Sequence, residues 1–79
     1  MEELIKYIVE NLVDNKEAIS ISSVDESEKV TVVTVLVDKN DVGKVIGRNG
    51  KIAGSIRTIV KSASMKSGKK YIVKIGERD

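Results

Sequence analysis

Gly47 and Gly50 stand three residues apart and enclose Arg48 and Asn49, with Lys51 directly after them and Lys44 three residues before the first glycine. This set suits one kind of chemistry, the holding of an anion. Glycine has no Cβ, so the backbone at both positions can bend sharply and come close to a ligand. A helix beginning at about Lys51 would point its first unpaired N–H groups and the positive end of its dipole at the same spot, which favours a phosphate. Arg48 and Lys51 add charge, and Asn49 can donate hydrogen bonds without repelling an anion. Taken alone, a G-x-x-G segment serves equally well as a tight turn between two helices, so its setting in the chain has to decide.

Periodicity supplies the setting. Between residues 2 and 14, Leu4, Ile5, Ile8, Val9, Leu12 and Val13 recur in pairs four apart, one stripe of an amphipathic helix. Ala18 to Val24 alternates Ile19 and Ile21 with Ser20 and Ser22, a short half-buried strand, and Asp25-Glu26-Ser27-Glu28 is a polar turn. Lys29 to Asp38 is rich in β-branched residues and apolar on both faces, with Val30, Val32 and Leu36 on one and Val33, Val35 and Val37 on the other. Such a strand is central in a sheet or has its second face covered. Asp41 is placed to cap a short helix, Val42 to Ile46, which the glycine segment interrupts. In the helix that follows, Ile52, Ile56, Ile59, Val60 and Ala63 form the expected apolar stripe, which runs out near Met65 to Gly68. Lys69 to Gly76 reads as a third strand, entered through the basic loop Met65-Lys66-Ser67-Gly68-Lys69-Lys70. The element order is α-β-β-α-α-β.

Seventy-nine residues make one domain, 1–79, and a chain of this size buries only about 60% of the surface it exposes when unfolded. Its stability is therefore marginal, which favours a second copy or a partner. The sequence has no cysteine and no histidine, so neither disulfides nor the commonest zinc sites reinforce it. The acidic start and the absence of any apolar run of about 18 residues predict a cytoplasmic protein with no membrane insertion. The net charge of +2 conceals a segregation: residues 1–41 hold four lysines against ten acids, whereas residues 42–76 hold nine basic residues and no acid. A basic segment of this kind is either a solvated face or an anion-binding surface, and the glycine loop lies within it.

With these elements around it, Val45-Ile46-Gly47-Arg48-Asn49-Gly50 resembles the Ile-Gly-x-x-Gly core of the KH domain, whose loop clamps a short run of nucleotides. The Asp41-Val42-Gly43-Lys44 lead-in and the continuation to Ala53 resemble the small bacterial single-KH proteins of the KhpA family, over nearly the whole chain. An aliphatic residue is usual three positions after the second glycine of a KH loop; here that residue is Ala53, a form that KhpA-like sequences share. The resemblance implies an α+β, type II KH-like domain with a three-stranded sheet and three helices packed on one face. It also implies single-stranded RNA as ligand, with no cofactor. The loop, Gly47 to Gly50 with Lys51 and Lys44, would hold phosphates, and Val45, Ile46 and Ile52 are candidates for the apolar lining or for plain core. Lys66, Lys69 and Lys70, before the last strand, would attract phosphate or simply confer solubility, while Arg57 and Lys61 are expected to be solvated. Members of the family form homodimers and pair with a larger Jag-type KH RNA-binding protein, in roles of post-transcriptional regulation, RNA chaperoning and cell-envelope growth and shape. Val33, Val35 and Val37, or the long helix around Ile59 and Val60, are the candidate dimer surfaces.

Other classes fit less well. With no Phe or Trp and only Tyr7 and Tyr71, the chain lacks the aromatic platforms of an RNA-recognition motif or OB-fold. The Walker pattern is absent, and nothing supplies a catalytic constellation, so no enzyme is expected. In a helix-turn-helix the second helix needs a polar face where this one carries its stripe. The remaining rival is a KH-shaped module that works by protein–protein contact, with any nucleic-acid binding incidental.

Overall fold

The β-branched run lies at the centre of the molecule. In the computed structural model, which describes residues 1–78, Val30–Asp38 is strand β2, flanked by β1, Ser20–Asp25, and β3, Lys70–Arg78. β1 is antiparallel to β2, with Ile21 opposite Val35 and Ser23 opposite Val33. β3 is parallel to β2, with Val33 beside Val73 and Val35 beside Ile75. Parallel neighbours cannot be joined by a tight turn, so the chain must return along the sheet between them. It does so as α2, Val42–Ile46, a single 3-10 turn, Arg48–Gly50, and α3, Lys51–Ser64; the first helix, α1, spans Glu2–Glu10.

Side chains alternate between the faces of a strand, and the helices cover only one face of this sheet. On it Val33, Val35 and Val37 of β2 and Val73 of β3 meet Ile5 and Val9 of α1, Val45 of α2, and Ile56 and Val60 of α3. The chain thus has the α+β, type II KH-like arrangement expected, with α2 and α3 forming a single bent helical unit. α1 is shorter than the predicted 2–14: regular helix ends at Glu10, and the chain turns through Asn11 and Leu12, leaving Val13 buried against the core.

Two expectations about apolar faces are corrected. Val33, Val35 and Val37 are fully buried within the chain and offer no surface to a second copy. The other face of β2 is the exposed side of the sheet, where Val32 is still only 8% exposed because Val24 and Ile72 stand beside it in register. The buried stripe of α3 is Ala53, Ile56, Val60 and Ser64, not the line of large residues through Ile59 and Ala63. Small Ala53 and Ser64 let the helix lie close on its neighbours, and this sets its rotation. Ile59, about 100° around the helix from Val60, is left 44% exposed, whereas Val60 is buried. The rotation has a direct test in urea melts. Ile56→Ala should cost about 2–5 kcal/mol by opening a cavity in the core, while Ile59→Ala should cost less than about 1 kcal/mol.

Candidate nucleic-acid interface

The two glycines of the loop do different work. Gly47 has φ 76° and ψ 172°, a conformation open essentially to glycine alone. A Cβ there would lie 2.6 Å from Cγ1 of Ile52 and 2.9 Å from its backbone nitrogen, so Gly47 is required by the close approach of α3 beneath the loop. Gly50 is left-handed too, at φ 75°, but a Cβ on it would meet nothing within 4 Å. Its open side is where a ligand can reach the backbone. Between them Asn49 has φ 56°, a value that Asn tolerates better than most side chains.

No side chain caps α3, while the turn before it already takes the Gly50 N–H, on the Gly47 carbonyl, and the Lys51 N–H, on the Arg48 carbonyl. Arg48, Asn49 and Lys51 stand exposed around this helix end, while Gly47 and Gly50 are half-buried. The arrangement can present a helix dipole and two cationic side chains to one anion. Of the apolar candidates, Val45 is fully buried and belongs to the core, whereas Ile46 and Ile52 are half-buried beside the loop, with Ile52 also packed against the core.

Lys44 lies close to the loop in sequence, but its ammonium is directed elsewhere. It pairs with the Asp14 carboxylate and, at 3.3 Å, with Asp41. Asp41 stands at the N-cap of α2 without capping it by a side-chain bond; its carboxylate instead accepts the backbone N–H of Asn15, 26 residues away, at 3.0 Å. Asp41 is only 2% exposed. The Asn15 N–H, joined by the Asp14 N–H and by Lys44, holds its carboxyl below the usual range against the cost of burial. Asp38 is held low in the same way by the Asn40 N–H and the Asn15 side chain. The Asp14 and Asp41 carboxylates in turn raise the Lys44 ammonium. This cluster fastens the segment after α1 to the start of α2, and so to the loop.

Beyond the loop, α3 runs beside β3, an edge strand of the sheet. Arg57 crosses from the helix and donates from Nε and Nη2 to the Val73 carbonyl at 3.4 and 3.3 Å. Arg57 is exposed, as expected, but no periodic signal marks this bond, because a residue on the shoulder of a helical stripe reads only as exposed. The loop cations and the second basic group are not one cluster: Lys66, Lys69 and Lys70 belong to the turn and strand start at the other end of α3, about 20 Å away for 14 residues of helix.

The sequence model of the KhpA/KhpB KH domain matches residues 2–75, which include every element but the end of β3. The chain belongs to the KhpA/KhpB KH-domain family. It is 50% identical over 72 residues to a protein of Oceanobacillus iheyensis, covering 91% of this chain and 93% of that one. A Listeria monocytogenes protein is 42% identical over 77 residues, covering 98% of this chain and all of that one. One from Caldanaerobacter subterraneus is 41% identical over 75 residues, covering 95% and 99%. All three carry the name RNA-binding protein KhpA. No solved structure gives a significant match. Among the described residues, no helix is long and apolar enough to cross a membrane.

In this KhpA/KhpB-family chain the glycines should separate experimentally. Gly50→Ala should cost about 1–2 kcal/mol from its left-handed backbone alone, and Gly47→Ala distinctly more, since the clash with Ile52 is added; denaturant midpoints compare the two. The acid cluster predicts a pH effect. The folded pKa of Asp41 lies below its unfolded value of about 3.9, so its contribution is complete above that pH and is lost as pH falls through the lowered value. Asp41→Asn, which keeps an acceptor for Asn15 but no charge, should flatten the loss of stability below about pH 4, read by melting across pH 2–6.

Proposed function

We propose that this chain binds single-stranded RNA by clamping its backbone at Gly47–Gly50, with Arg48, Asn49 and Lys51 around the phosphates and Ile46 and Ile52 beside the bases. The observation that carries this reading is the open backbone at Gly50, set at an uncapped helix end between exposed cations. The names of the relatives support RNA as the ligand. Lys66, Lys69 and Lys70 add attraction for phosphate from the far end of α3, and Lys44 contributes by fastening α2 rather than by touching RNA.

On this reading the chain is a single non-enzymatic domain, 1–79, that acts in the cytoplasm in post-transcriptional regulation, without a cofactor. A lone KH module engages about four nucleotides, so useful affinity comes from two modules joined, either as a homodimer or with a larger Jag-type KH protein, the KhpB side of the family. Of the candidate dimer surfaces, exposed Ile59 on α3 remains available for such a contact.

The rival, a protein-contact module with incidental RNA binding, separates by one double substitution. Arg48→Asp with Asn49→Asp places two carboxylates against the phosphates on an exposed loop. RNA recovered by crosslinking should fall to background, with melting and oligomeric state unchanged; undiminished recovery would sink the clamp. Wild-type affinity should also fall with salt at a log–log slope of about −2 to −3, for roughly three to four phosphate contacts on a single strand. A flat profile favours the protein-contact module.

A further inference from the structure

Past the Arg57 contact on Val73, the end of α3 parts from the start of β3 around a concavity. There Lys61 and Met65 of α3 and its following turn, with Lys69, Lys70 and Tyr71 at the start of β3, line a cleft of about 550 Å³. No acidic side chain lines it. Lys61 is one helical turn beyond Arg57, so the loop, Arg57 and the cleft follow one line along α3. Met65 is 75% exposed, a large apolar side chain with no covering in the chain, and Tyr71 is one of only two aromatic residues present. An aromatic ring, a flexible thioether and lysines on both walls match a nucleobase with its phosphate: the ring and Met65 offer apolar faces, and the ammonium groups offer charge.

We propose that this cleft is a further nucleotide subsite, which takes a base of the same RNA strand that the Gly47–Gly50 loop holds. The base stacks on Tyr71 beside Met65, and its phosphate lies near Lys61 and Lys69. The proposal rests on the RNA-clamp reading. It makes the footprint longer than the roughly four nucleotides of a KH loop, because the cleft stands about a helix length, 14 residues, from the glycines. Tyr71 also packs against the core, so the substitutions are chosen to keep an apolar side chain there.

The test measures binding of randomised RNA pools of four and of seven nucleotides to the full chain. Tyr71→Leu should weaken the seven-nucleotide pool by about fivefold or more, the lower end of base–aromatic stacking, and leave the four-nucleotide pool unchanged. Tyr71→Phe should restore wild-type binding of both, and Lys61→Glu should again weaken only the longer pool. Equal losses on both pools, or no loss on either, overturn the subsite. Failure of the clamp reading looks different: neither pool then responds to Arg48→Asp with Asn49→Asp.

Discussion

Because β2 and β3 pair in parallel, the chain has to travel back along the sheet between them, and that return journey carries the candidate site. α2 and the loop fall at the end where β2 stops, and α3 runs back to where β3 begins. The pairing therefore places the glycine loop at one end of α3, which packs beside β3. It also presses the start of α3 beneath the loop, which leaves no room for a side chain at residue 47. Core and loop conformation are consequences of one strand alignment.

The basic residues of 42–76 divide by what they face. Lys44 is held by Asp14 and Asp41, and Arg57, though exposed, reaches the Val73 carbonyl, so both brace the framework. Arg48 and Lys51 at one end of α3, and the lysines at the other, are left for solvent or an anion. Acidic residues of the first half are part of the same design. Asp38 and Asp41 bind Asn15 and so tie the chain segment after α1 to the start of α2. A charge that looks segregated along the chain is thus partly neutralised in space, near the loop's own base.

Local features were legible because local rules govern them. The glycine spacing, the helix start at Lys51 and the β-branched run at the sheet's centre each depend on a few neighbouring residues, and each lies where the sequence puts it. The misread features depend on partners distant in the chain. The rotation of α3 is set by small Ala53 and Ser64 against other elements, and hydrophobic periodicity gives such residues little weight. Asp41 fits a helix cap by position, but its carboxylate bonds the Asn15 N–H. Both faces of β2 are apolar, and only its neighbours determine which becomes the interior. The Arg57 bond to Val73 carries no pattern at all, since its acceptor is a main-chain carbonyl on another element.

That contact on Val73 has a consequence for the solubility of the chain. A strand at the edge of a sheet presents unpaired backbone groups on which another strand can grow, and β3 carries a run of β-branched and aromatic residues that would suit such growth. The Arg57 guanidinium occupies a carbonyl on that strand, so an incoming strand must displace a charged group before it can pair. A single arginine thereby puts charge on an edge that is otherwise open to strand pairing.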